Sequence, residues 1–287
     1  AFSPSNFLAS NPVALKALAD SNGESLVKGM QNFAADMERG AGKLKISQAD
    51  YGKFVVGENV ATAPGQVVWR DELFELIQFD AATDKQRAIP LLIFPPWINK
   101  FYILDLKPQN SLIKWIVDQG FTLFVGSWVN PDASYRDVGM DDYIREGYMQ
   151  AMAEVRRITG EKQINAVGYC IAGTTLSLTL AHLQKAGDTS VKSATFFTTL
   201  TDFSDQGEVG VFLNDDFVDG IERQVAVDGV LDKSFMSRTF SFLRSNDLIY
   251  QPAIKSYMMG EAPPAYDLLY WNGDGTNLPA RMAVEYL

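Results

Sequence analysis

Apolar and polar positions follow three different periods along the chain. From residue 1 to 48 the spacing is helical. Asn11-Pro12 begins a helix as a cap followed by a first-turn proline, with Leu15, Leu18 and Ala19 as its apolar face. A second helix, Glu24 to Arg39, sets Leu26, Met30, Phe33 and Met37 on one side as a packing face. From Phe54 to Phe79 the period becomes two. Val67–Arg70 and Leu73–Phe79 flank Asp71-Glu72 and predict a hairpin, although this is not among the strongest turn dipeptides. Ile89–Phe94 is wholly apolar and stopped by Pro95-Pro96, as expected of a strand covered on both faces. Asn110–Gln119 then predicts a helix, Phe121–Trp128 a buried strand and Asp141–Ile158 an amphipathic helix. Ile164–Tyr169 is a strand, a helix runs on to Lys185-Ala186-Gly187, and Val191–Leu200 is another strand. Strand and helix alternating through short links is the signature of a parallel, doubly wound α/β sheet. The alternation stops after Asp202. Residues 205–270 carry Phe212, Phe217, Phe235, Met236, Phe240, Phe242, Tyr250, Tyr257, Met258 and Met259 without a β pattern and predict an inserted cap. The organisation expected is a peripheral helical segment at 1–48, a core at 49–204, a cap at 205–270 and a return toward the core at 271–287.

The period changes at the only cysteine. Before Cys170 the run is a buried strand, and after it Leu176, Leu178, Leu180, Ala181 and Leu183 belong to a helix. A strand turning into a helix through Gly168-Tyr169-Cys170-Ile171-Ala172-Gly173 resembles the nucleophile elbow of the α/β-hydrolases, with cysteine in the usual place of serine. At such an elbow the central residue is strained and close neighbours must be small, which suits Gly168 and Ala172. The helix amino terminus beneath the sulfur favours thiolate, the attacking form. A lone cysteine otherwise packs as a small buried hydrophobe.

Composition narrows the class. With 287 residues, 47% of them apolar, the chain can bury a full core. No apolar run reaches the roughly 18 residues of a membrane span. One cysteine and one histidine exclude an internal disulfide framework and the usual structural zinc sites. The net charge of −10 argues against nucleic acid as a partner, because duplex binding needs a basic face. The chain starts at Ala1 without a basic segment and apolar h-region, so a piece of a longer soluble protein is expected.

Acyl transfer at an elbow requires donors for the oxyanion and a base for the nucleophile. The N–H of Ile171, directly after Cys170, is one expected donor. The loop Pro95-Pro96-Trp97-Ile98-Asn99-Lys100, with Ile98 as its substrate-contacting position, follows the strand whose loop gives the second. His182 lies twelve residues beyond Cys170, which along a helix is about 18 Å, too far to serve the thiol. Since the acid and histidine follow the nucleophile in these folds, both are expected after Leu287, and the 287 residues alone are expected to be inactive. Asn272-Gly273-Asp274-Gly275 reads as a turn.

Several segments together resemble the poly(3-hydroxyalkanoate) synthases, most closely the class I enzymes. They are Asn59–Gly65, Pro95–Leu106, Ser127–Asp132, Gly168-Tyr169-Cys170, Ser241–Asp247 and Tyr270–Pro279. The resemblance implies an α/β-hydrolase core with an inserted cap, whose carboxyl-terminal part lies outside this sequence. It also implies an acyltransferase that polymerises (R)-3-hydroxyacyl-CoA through a thioester on Cys170 and releases coenzyme A, with no cofactor beyond that substrate. A homodimer meeting through the cap is implied, working in the cytoplasm at the surface of a polyester granule, and Asp132 and Arg244 would shape the substrate site. Two other readings stay open: a cysteine hydrolase of the dienelactone type, and a non-catalytic granule-binding or dimerising fragment.

Overall fold

A computed structural model describes residues 3–205, 207, 210 and 214–286; Phe212 of the expected cap lies outside them. Contacts divide the chain into two compact units. One joins residues 1–55 to 234–273, and the other joins 56–233 to 274–287. The described residues among 205–233 thus belong with the sheet, and 234–270 with the amino-terminal helices.

In the helical unit, α1 (Pro12–Asp20) starts as its sequence dictates: the Asn11 side chain accepts from the N–H groups of Val13 and Ala14, at 3.0 and 3.1 Å, and Pro12 fills the first turn. Helix α2 (Glu24–Arg39) has the expected bounds but not the expected face. It buries Ser25, Gly29 and Asp36, while Met30 and Phe33 remain exposed. The reason is close approach, since a Cβ on Gly29 would lie 2.0 Å from the Tyr257 carbonyl oxygen. Packing the helix against the π-helical turn Ile254–Met258 therefore demands a small stripe rather than an apolar one.

The second unit is built on a six-stranded sheet. Its strands are β1 (Gly65–Arg70), β2 (Phe74–Phe79), β3 (Arg87–Phe94), β4 (Phe121–Trp128), β5 (Ile164–Tyr169) and β6 (Val191–Phe197). Their spatial order is β1-β2-β4-β3-β5-β6. Strands β3 to β6 run parallel and β2 is antiparallel to β4. The β1–β2 hairpin forms despite its weak turn dipeptide because the Asp71 carboxylate accepts from the N–H groups of Leu73 and Phe74, at 2.7 and 2.9 Å. Helix α3 (Leu112–Asp118) covers one face, where Ile113, Ile116 and Val117 pack with Phe79, Ile93, Leu123, Val125 and Val167.

On the other face the expected helix at Asp141–Ile158 is three pieces. They are α4 (Met140–Asp142), a π-helical stretch Tyr143–Met149, and α5 (Gln150–Thr159), closed by Gly160 at φ 73°. The widened turns seat two buried rings against the sheet: Tyr148 stacks on Phe94 at 4.1 Å between centroids, and Tyr143 lies 5.3 Å from Trp128. Helix α6 (Ile171–Lys185) lies next, followed by β6, which stops at Phe197 rather than Leu200 because Thr198 turns to φ 44°. Beyond it, α7 (Asp215–Asp228) leads to a two-residue strand, Val230–Leu231, paired with Leu278–Pro279. This small pairing, absent from the sequence expectation, returns residues 274–286 to the sheet unit. Together, the strand order, the antiparallel β2 and a sharp strand-to-helix corner after β5 make this an α/β-hydrolase fold.

Candidate active site

The corner after β5 is the strained turn its sequence predicts. Cys170 has φ 57° and ψ −128°, a region L-residues avoid, and its side chain is exposed. Backbone bonds hold it there, among them one from the Gly173 N–H to the Cys170 carbonyl at 2.9 Å. The Cys170 N–H donates to the Phe197 carbonyl at 2.8 Å, and the Cys170 carbonyl also accepts from the Thr199 hydroxyl at 3.3 Å. Small residues are required where the strand meets the helix, but the close pair is Gly168 with Gly173. Ala172 instead is buried, and its carbonyl accepts from the Tyr148 hydroxyl at 3.0 Å.

Ile171 is the first residue of α6, where a helix leaves its N–H groups without intrahelical acceptors. Ile98 is 8% exposed in the loop after β3. That loop is tied to α6 by Trp97, whose indole N–H donates to the Thr175 hydroxyl at 3.2 Å. Cys170, Ile171 and Ile98 all belong to the sheet unit, at the carboxyl edge of adjacent strands. Two phenols, Tyr169 and Tyr286, lie close enough to feel the sulfur. Burial, and then the nearby Cys170 sulfur, push the Tyr169 and Tyr286 hydroxyls above their ordinary pKa. The Tyr286 ring also stands edge-on to Trp97, 5.5 Å between centroids.

Asp132 is exposed and caps its own loop. Its carboxylate accepts from the Ser134 hydroxyl at 2.6 Å and the Ser134 N–H at 2.9 Å, and these bonds hold its pKa below the ordinary value. Arg244 belongs to the helical unit, where it pairs with Asp247 at 3.2 Å. His182 sits in the last turn of α6, about 18 Å along the helix from the elbow. Among the described residues no group of three or more His, Cys, Asp or Glu side chains is placed to hold a metal ion, and no helix is long and apolar enough to cross a membrane.

Sequence reasoning, which read Asn272–Gly275 as a turn and 271–287 as a return toward the core, missed the part played by residues 274–277. The Asp274 carboxylate accepts from the Tyr102 hydroxyl at 2.7 Å. Thr276 bonds to the Trp97 and Ile98 carbonyls, at 2.8 and 3.1 Å. Asn277 accepts from the Lys233 N–H and bonds to Asn130 and Pro131. One short segment thus pins the loops after β3 and β4. The available signal was its place in Tyr270–Pro279, one of the segments that carry the family resemblance.

Residues 1–116 match the family described as Poly-beta-hydroxybutyrate polymerase (PhaC) N-terminus. Over 287 residues the chain is 46% identical to the poly(3-hydroxyalkanoate) polymerase of Methylorubrum extorquens, with all of this chain and 47% of that protein aligned. The Rhizobium meliloti and Cupriavidus necator polymerase subunits are each 44% identical, again across the whole chain, with 47% and 49% of those proteins covered. The chain thus spans about half the length of these relatives. Among solved structures, a probable hydrolytic enzyme of Pseudomonas aeruginosa superposes with a TM-score of 0.41 at 12% identity, over 78% of this chain and 65% of that one. With the family match over residues 1–116 and an identity of 44–46% along its entire length, this chain is similar to the poly(3-hydroxyalkanoate) polymerases over about half their extent.

Proposed function

We propose that the chain carries the nucleophilic half of a polyester-forming acyltransferase, with Cys170 as the residue that takes up the acyl group. The single observation that carries this reading is the exposed sulfur on a backbone strained to φ 57° at the tip of a central parallel strand, with a helix beginning beneath it.

In this reading the Cys170 thiolate attacks the thioester carbonyl carbon of an (R)-3-hydroxyacyl-CoA. The carbonyl oxygen takes the negative charge, facing the N–H groups of Ile171 and Ile98. The bond from carbon to the coenzyme A sulfur breaks, and coenzyme A leaves with the proton that Cys170 gave up. The hydroxyl end of the growing chain then attacks the acyl carbonyl carbon, an ester bond forms, the bond from that carbon to the Cys170 sulfur breaks, and the hydroxyl proton passes to the freed thiol. A thiol suits this cycle because the acyl group passes between sulfurs of similar leaving ability, whereas an ester to serine would be a deeper trap. His182 takes no part.

Homodimer formation and residence at a polyester granule in the cytoplasm belong to the same proposal. Phe242 and Leu243, 71% and 43% exposed in the helix Lys233–Leu243, are apolar residues that such a contact would cover. The test is Cys170→Ala in the protein at its natural length, supplied with (R)-3-hydroxybutyryl-CoA. Loss of coenzyme A release and of polymer, with an unchanged melting temperature, is expected. Polymer made by the variant overturns the assignment, and free hydroxy acid released by the unsubstituted protein in place of polymer selects the hydrolase reading.

A further inference from the structure

We propose that Thr276 is a positioning residue for acyl transfer, orienting the Ile98 N–H as an oxyanion donor; this rests on the Cys170 reading above. Thr276 is fully buried and bonds twice to one loop, its hydroxyl donating to the Trp97 carbonyl at 2.8 Å and its N–H to the Ile98 carbonyl at 3.1 Å. Across a trans peptide the carbonyl of one residue and the N–H of the next point in opposite directions. Drawing the Trp97 and Ile98 carbonyls toward Thr276 therefore turns the N–H groups of Ile98 and Asn99 away from it. The Asn99 N–H is already used, donating to the Pro96 carbonyl at 3.3 Å. That leaves the Ile98 N–H, which has no acceptor among the described residues.

A second hold sets the position of the loop. The Trp97 indole donates to the Thr175 hydroxyl, which in turn donates to the Ile171 carbonyl at 3.3 Å, so the loop is tied to the first turn of the helix that starts at the elbow. Both donors of this proposal, the N–H groups of Ile98 and Ile171, are thereby fixed by buried threonines rather than by the chemistry of their own apolar side chains. A donor aimed in advance stabilises charge that exists only in the transition state, so loosening it lowers kcat and leaves substrate binding nearly alone.

The test uses the protein at its natural length with Thr276→Val, which keeps shape and removes the hydroxyl, and Thr276→Ser, which restores the donor. Coenzyme A release from (R)-3-hydroxybutyryl-CoA is measured beside alkylation of Cys170 by iodoacetamide, a displacement at carbon that generates no oxyanion. Thr276→Val is expected to lower kcat by about tenfold or more with KM within about twofold and alkylation unchanged, and Thr276→Ser to stay within about twofold of the unsubstituted protein. Equal falls in alkylation and acyl transfer, or an unchanged kcat in Thr276→Val, overturn the proposal. If Thr276→Val does not fold, a tenfold loss in Thr276→Ser overturns it on its own. Cys170→Ala separates the two ideas: if it retains turnover the nucleophile assignment fails, and if it is inactive while Thr276→Val is unimpaired only the positioning role falls.

Discussion

Gly168 and Gly173 meet across the elbow so closely that a Cβ on Gly168 would lie 2.5 Å from the Gly173 Cα. A Cβ on Gly173 would in turn lie 2.0 Å from the Thr199 hydroxyl. The strand's last turn, the helix's first turn and the chain after β6 are therefore stacked without room for one methyl group. Gly173→Ala is expected to lose about 1–3 kcal/mol of unfolding free energy by overpacking. Thr199→Ala removes the nearest obstructing atoms, so the double variant should recover part of that loss in a double-mutant cycle by urea denaturation. Additive losses would show that the two positions do not compete for space.

Strain at Cys170 gives the second prediction. A non-glycine residue at φ 57° and ψ −128° is held there by the bonds to Phe197, Gly173 and Thr199 that fix the corner. Cys170→Gly releases strain of about 1–3 kcal/mol, offset by about 0.5–1 kcal/mol of extra backbone entropy. It should therefore melt at a higher temperature than Cys170→Ala, which keeps a Cβ at the same angles. Neither variant would form an acyl-enzyme, so the comparison separates stability from activity at one position. A lower melting temperature for the glycine variant would deny the strain.

Buried polar support beneath the elbow gives a third. Tyr148 is fully buried and donates to the Ala172 carbonyl in the first turn of α6. Burial keeps that phenol neutral, its pKa pushed well above the ordinary value, so it acts as a donor across any working pH. Tyr148→Phe keeps the stack on Phe94 and loses only the hydroxyl. A loss of about 0.5–1.5 kcal/mol is expected by thermal denaturation, and no change would mean that the bond contributes nothing net.

How much of this could be read from the chain differs by element. The strands and the elbow were legible because their signals are local: the apolar run at Ile89–Phe94 met Pro95-Pro96, and the glycines around Cys170 marked the corner. The face of α2 was not, because what it packs against is the backbone of Tyr257, more than two hundred residues away, and only a small residue admits that contact. The helix after β4 read as one amphipathic run, yet π-helical turns seat Tyr143 and Tyr148 against Phe94 and Trp128. Thr276 escaped notice for a related reason. Its partners are backbone carbonyls of another loop, which leave no pattern in the sequence.

The last prediction concerns pH and the helical unit. Asp36 is buried on α2, and burial alone would raise its pKa. Against that stand donors from the Ser47 hydroxyl at 2.6 Å, the Tyr257 hydroxyl at 2.6 Å and the Ser47 N–H at 2.9 Å, with Arg39 at 2.8 Å, and together they hold the carboxyl below its ordinary value. A carboxyl depressed in the folded state contributes stability that is present above the unfolded pKa near ~3.9 and lost as pH falls through the lower folded value. Tyr257 has the opposite sign. Burial first, and then its bond to Asp36, raise the phenol above its ordinary value, so its contribution is full below about pH 10 and is lost only in stronger alkali. Urea denaturation followed from pH 7 down to 3 should therefore show stability falling below about pH 4, while Asp36→Asn, weakened by about 1–3 kcal/mol at neutral pH, should show a shallower acid limb. Parallel acid limbs in the two proteins would mean that Asp36 does not carry the dependence.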